Sequence, residues 1–209
     1  PGTTPSTMQQ LLYLLAISLL LSACTENTSR LPLLDSNSTI LAFGDSLTRG
    51  IGAAEEQSYP AVLSRLTGRT VVNAGISGEV SAQGLQRLPA LLDRLRPDLL
   101  LLCHGGNDML RRFSTDITRN NIEAMISLAV ERGIPVLLIG VPKPGLIFLK
   151  PATFYAEIAE QYDLVYEGEI IAEVESDNSL KSDQIHPNAD GYTHIATALY
   201  RLLQQSGAL

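Results

Sequence analysis

Thr39-Ile40-Leu41-Ala42-Phe43-Gly44-Asp45-Ser46-Leu47-Thr48 is a short apolar run that ends in a Gly-Asp-Ser turn. The run is nearly continuous and bounded by turn residues, which reads as a strand buried on both faces. The turn sets a serine at the strand's carboxyl end, where a helix opens. A serine there exposes its hydroxyl, turns its own N–H toward any negative oxygen bound beside it, and gains from the helix dipole. Working outward, the runs 70–73, 98–103 and 134–140 have the same buried-strand character, and 164–167 is a weaker strand. Helical spacing fills 59–66, 83–96, 117–132 and 153–162, and 188–205 is a closing helix. Strand and helix alternating in this way predict an α/β fold, a parallel sheet with helices on both faces. Right-handed crossovers then bring the functional loops to the carboxyl ends of the strands.

The chain has 209 residues, 45% hydrophobic and 18% charged, enough to build one sizeable core. Its net charge of -7 argues against a nucleic-acid partner, which needs a basic face. The N-terminal part differs in character. Residues 11–21 are apolar apart from Tyr13 and Ser18, too short a run to span a bilayer but suited to the core of a signal peptide. Leu21-Ser22-Ala23-Cys24 follows and resembles the lipobox of bacterial lipoproteins, which implies lipidation of Cys24 and a place on the periplasmic face of the envelope, at the outer membrane. Met8 is the plausible start, and Gln9-Gln10 supply no positive charge, so an uncleaved anchor or a simple secretory signal is the alternative. The expected organisation is a signal segment over 1–24, a polar tether over 25–38 and one domain over 39–209. Cys103 has no evident mate, so no framework disulfide is expected.

Three further motifs stand at predicted strand ends or before the closing helix. Asn73-Ala74-Gly75-Ile76-Ser77-Gly78 follows the second strand and alone is a glycine-rich turn. His104-Gly105-Gly106-Asn107-Asp108 follows the third, and an asparagine in a loop is ordinarily a turn former. Asp183-Gln184-Ile185-His186-Pro187 places a carboxylate three residues before a histidine on one loop, a spacing that lets the carboxylate fix the ring's tautomer. Pro187 stiffens that junction, since the residue before a proline is held extended. Of the three histidines, His194 falls inside the closing helix and His104 has Leu101, not a carboxylate, three residues earlier. His104 is placed to line a pocket. His186 is the favoured base, because a base must itself be oriented.

Taken together, Phe43 to Thr48, Asn73 to Gly78, Gly105 to Asp108 and Asp183 to His186 resemble, in order, the four blocks of the GDSL/SGNH hydrolases. Similarity is closest to the bacterial acyl-thioesterase/lysophospholipase/arylesterase branch, with Gly84-Leu85-Gln86-Arg87-Leu88-Pro89-Ala90-Leu91-Leu92 also matching. The resemblance implies a three-layer α/β/α fold on a flavodoxin-like five-stranded parallel sheet. It further implies Ser46 as nucleophile, His186 as base with Asp183 as partner, and an oxyanion hole from the N–H groups of Ser46 and Gly78 and the Asn107 amide. Acyl transfer of this kind needs no metal or organic cofactor, and the implied substrates are carboxylic esters or thioesters, such as lysophospholipids or medium-chain acyl esters. Met109, Arg112 and His104 depart from what is common in the branch.

Two loops are expected to shape the acyl pocket. One holds Met109 and Leu110, and the other holds Leu146, Ile147, Phe148 and Leu149 between proline and glycine residues. Packing beneath the loop competes with that reading. A carbohydrate O-acetylesterase and a non-catalytic envelope lipoprotein are the rival functions. A Gly-x-Ser-x-Gly elbow occurs nowhere, which disfavours an ordinary α/β-hydrolase. Gly50-Ile51-Gly52-Ala53-Ala54-Glu55 lacks the third glycine of a dinucleotide-binding turn. A monomer is expected.

Overall fold

The computed structural model describes residues 29–143 and 151–209. The expected signal segment, Cys24 and the loop residues Leu146, Ile147, Phe148 and Leu149 lie outside them. Among the described residues no helix is long and apolar enough to cross a membrane.

Five strands form one sheet: β1 Thr39–Gly44, β2 Thr70–Gly75, β3 Leu99–Cys103, β4 Val136–Ile139 and β5 Val165–Glu167. Their order is β2-β1-β3-β4-β5 and every pairing is parallel. This is the doubly wound arrangement in which the chain reverses direction across the sheet beside β1. β3 and β4 are buried along their whole length, while the edge strand β2 stays half-buried, as expected of strands with and without neighbours on both sides. Gly44 pairs with both Gly75 and Cys103, so the loops after β1, β2 and β3 leave the sheet at one level.

The helices are α1 Ser46–Arg49, α2 Tyr59–Thr67, α3 Ser81–Leu95, α4 Gly106–Leu110, α5 Thr115–Val130, α6 Thr153–Gln161, α7 Ile170–Ser176 and α8 Ala189–Gln205. α2 packs with α8 and α3 with α5, giving a helical layer on either side of the sheet. α3 begins two residues before the expected position. The Asp108 carboxylate accepts the Ser81 N–H at 2.8 Å, and the Gln83 side chain accepts from Val80, so the first turn gains acceptors that local propensity does not reveal.

The tether expected over 25–38 is corrected from Leu31 onward. Leu31 and Leu34 are buried in the core, and their N–H groups donate to the carbonyls of Ser206 and Ala208 at 3.0 and 2.9 Å. Arg69 donates to the Leu34 carbonyl at 3.0 Å. The two leucines carry the polar segment onto the C-terminal end of the chain, because burying them and pairing their amides outweighs the freedom of a linker.

Glu175, on α7, is a partly buried carboxyl that burial pushes up from 4.5 to about 8, with Lys181 opposing and Asp45 reinforcing the shift. The folded state therefore holds this proton more tightly than the unfolded chain, and stability falls as pH rises from about 4.5 to about 8. Glu175→Gln is expected to raise Tm at pH 8, by about 2–4 °C for each kcal/mol recovered, and to leave it unchanged at pH 4. An equal change at both pH values in thermal denaturation would refute this.

Candidate active site

Three loops and one junction meet above the carboxyl ends of β1, β2 and β3. The turn after β1 is fixed by Asp45, which caps α1: its Oδ1 accepts the Leu47 N–H at 3.1 Å. Asp45 is buried, and that burial pushes its carboxyl above the usual value. Ser46 is thereby the first residue of α1, with its Oγ 3.1 Å from His186 Nε2.

The His186 ring is held by its own loop. Asp183 Oδ1 accepts the backbone N–H groups of Ile185 and His186, both at 2.8 Å, and Oδ2 lies 2.8 Å from His186 Nδ1. The backbone N–H of His186, its ring and the Ile185 N–H lower the Asp183 carboxyl to about 2. Hydrogen bonding and not burial produces this, since the Asp183 side chain is 54% exposed and that of His186 only 20%. The Ser182 N–H and hydroxyl both donate to the His186 carbonyl, and Asn188 caps α8 immediately after Pro187. A Ser–His–Asp chain of contacts results, assembled from positions 140 residues apart.

The loop after β2 turns at Gly78, whose φ of +77° lies in the left-handed region that only glycine enters without strain. Asn107, in the first turn of α4, donates from Nδ2 to the Glu79 carbonyl at 3.1 Å and to Asp45 Oδ2 at 3.3 Å. Asn107 thus bridges the loops after β1 and β2. The next residue, Asp108, is buried and accepts from both the N–H and the hydroxyl of Ser81, at 2.8 and 2.6 Å. The Asn-Asp pair therefore fastens the third loop to the second. Asn107 thereby stands against the residue before Ser46 and the residue after Gly78.

His104 departs from expectation. Its ring does not line a pocket: it is 0% exposed, lies beside Phe43, and its Nε2 is 3.1 Å from Glu79 Oε2. Directly after β3, it stands against Gly84 of α3. Of the two residues expected to contact substrate on this side, Leu110 is exposed and Met109 packs partly against the core. Ile76, Phe113, Ile117 and Ile185 are further exposed apolar residues in or next to the loops that carry the site. Glu79, Arg87 and Asp108 were missed by sequence reasoning, although Asp108 stood inside a recognised motif and Glu79 directly beside one. A groove of about 710 Å³ lies at the opposite end of the sheet, lined by Leu34, Leu92, Pro97 and Ile134 among others, with no histidine in its lining to activate Ser38. Among the described residues no cluster of His, Cys, Asp and Glu could hold a metal ion.

Residues 42–194, from within the first strand to within the closing helix, match the model of the GDSL-like lipase/acylhydrolase family. The chain belongs to this family. It is an ester-cleaving hydrolase with the SGNH α/β fold. Thioesterase 1/protease 1/lysophospholipase L1 of Escherichia coli strain K12 is 33% identical over 173 residues, 79% of this chain and 83% of that protein. An arylesterase of Vibrio mimicus is 36% identical over 133 residues, 61% of this chain and 64% of that protein. The crystal structure of AlinE4, an SGNH-hydrolase family esterase, superposes with a TM-score of 0.64 at 32% identity, over 83% of this chain and 98% of that one.

Proposed function

We propose that Ser46 is the nucleophile, that His186 takes and returns its proton, and that Asp183 orients the His186 ring. The supporting observation is the continuous chain from Asp183 Oδ2 through His186 to Ser46 Oγ, at 2.8 and 3.1 Å. Ser46 attacks the acyl carbon, the His186 imidazolium gives its proton to the leaving alcohol or thiol, and water then hydrolyses the acyl-enzyme by the reverse transfer. The N–H groups of Ser46 and Gly78 and the Asn107 amide hold the oxyanion.

We further propose that the substrate is an amphiphile with a medium acyl chain, such as a lysophospholipid or a simple octanoyl ester or thioester. Exposed Leu110 at the end of α4 and Phe113 just after it, together with the apolar Leu146, Ile147 and Phe148 of the sequence, support an apolar acyl subsite. The N-terminal Leu21-Ser22-Ala23-Cys24 supports lipidation of Cys24 and action at the periplasmic face of an envelope membrane.

The test is a panel of p-nitrophenyl esters from acetyl to palmitoyl, run beside lysophosphatidylcholine and acyl-CoA. Turnover is expected to peak at medium chain length, because each buried methylene contributes about 0.8 kcal/mol. A maximum at acetyl would overturn the acyl-subsite reading in favour of a deacetylase. Run on fractionated bacterial cells, the same assay should find activity with membranes and, for Cys24→Ser, in the soluble fraction. Soluble activity from the unmodified chain would overturn the anchor.

A further inference from the structure

His104, Glu79 and Arg87 form a buried polar cluster behind the serine, made of side chains that the acyl-transfer steps do not use. The Glu79 side chain is 5% exposed and is gripped on two sides. Arg87, on α3, donates from Nε to Oε1 and from Nη2 to Oε2, each at 2.6 Å. The same Nη2 donates to the carbonyls of Ala74 at 2.8 Å and Gly44 at 3.3 Å, at the ends of β2 and β1, and the guanidinium stacks on Phe43 with its carbon 4.0 Å from the ring centre. From the other side comes His104. The Gly105 N–H donates to its Nδ1 at 3.0 Å, so the ring is the neutral tautomer with its proton on Nε2, and that N–H donates to Glu79 Oε2 at 3.1 Å. Gly84 on α3 leaves the space for the ring: a methyl group there would stand 2.5 Å from Nε2.

A buried ion pair gains little stability over apolar packing of the same volume, since desolvation of both charges offsets their attraction. What the cluster does supply is position. Glu79 follows Gly78 directly, and its own carbonyl accepts the Asn107 Nδ2 at 3.1 Å. Fixing the Glu79 side chain therefore fixes, through one residue, the backbone that bears the Gly78 N–H and the acceptor that aims the Asn107 amide.

We propose that His104 and Arg87 are positioning residues for the oxyanion hole, acting through the clamped Glu79 carboxylate. The inference rests on the reading of Gly78 and Asn107 as oxyanion donors. Contacts of that kind strengthen only as the tetrahedral state forms, so a misplaced donor lowers kcat and spares KM.

The experiment measures kcat and KM per fluorophosphonate-titrated active site, which removes any fraction that has failed to fold. His104→Leu is expected to lower kcat by about ten- to a hundred-fold, less than outright loss of a donor, with KM changed by less than about two-fold. His104→Gln, whose amide can still donate to Oε2, should recover most of the rate. On an Asn107→Ala background His104→Leu should cost less than about three-fold, because part of what it positions is gone. Unchanged kcat per titrated site in His104→Leu, or losses that simply multiply with Asn107→Ala, would overturn the inference while leaving the Ser46 reading intact. Labelling at a residue other than Ser46 would instead remove that reading and this one with it. Should His104→Leu yield no folded protein, Arg87→Lys takes its place: it keeps the charge, loses the two-pronged grip, and is expected to show the same fall in kcat.

Discussion

Ser46→Ala is expected to lower ester turnover by about 10⁴-fold or more and to abolish labelling by a fluorophosphonate. The magnitude follows from the hydroxyl being the bond-forming atom and from its single oriented base, His186 Nε2 at 3.1 Å. His186→Ala should cost about as much, and the double variant no more than either, since two residues that act as one unit do not lose independently. Asp183→Ala should be milder, by about one to two orders of magnitude, because a half-exposed carboxylate is screened by water that can take part of its place. With its carboxyl held at about 2, Asp183 is ionised wherever the enzyme is assayed. A depressed carboxyl stabilises the folded loop above its ordinary value near 3.8, and that contribution is lost only as pH falls through about 2. The Asp183 carboxyl should therefore contribute nothing to the acid limb of kcat/KM. Stoichiometric labelling of Ser46→Ala, or turnover surviving His186→Ala, would exclude the assignment.

Asn107→Ala is expected to reduce kcat by about 10²- to 10³-fold with little change in KM, equivalent to about 2.7–4 kcal/mol of transition-state stabilisation. The amide carries two hydrogens. The Glu79 carbonyl holds one, and the longer 3.3 Å contact with Asp45 Oδ2 is the weaker of the two and the one that an oxyanion can replace. Asn107→Asp should be at least as damaging, since it turns the donor into a negative charge beside a negative intermediate. Stability should fall modestly, because Asp108 still holds the third loop to Ser81. Steady-state kinetics with thermal denaturation separates the two effects. A raised KM at unchanged kcat would mean that Asn107 binds substrate and takes no part in stabilising the oxyanion.

The parts of this molecule that could be read from its sequence are those whose determinants are short-range. Buried runs such as Leu99–Cys103 declare strands because a strand covered on both faces can be nothing but apolar. Alternation with helical spacing then fixes a parallel sheet, and the Gly-Asp-Ser turn fixes a serine at the end of its first strand. Asp183 and His186 were legible as a pair because one loop holds both, three positions apart, with the carboxylate bonded to backbone and ring of the same segment. Only the tertiary structure decided the contacts that depend on which distant surface a side chain meets. His104 could face substrate or core equally well on its own sequence, and the space left by Gly84 of α3 and the Glu79 carboxylate beside it hold it inward. Leu31 and Leu34 read as part of a polar linker until the carbonyls of Ser206 and Ala208 supplied partners for their amides. Arg87 was one cation on an amphipathic helix, and its grip on Glu79, Ala74 and Gly44 exists only where two strand ends and that helix converge. Local pattern sets what each segment can become, whereas burial and hydrogen-bond pairing between segments far apart in the chain set which way each side chain points.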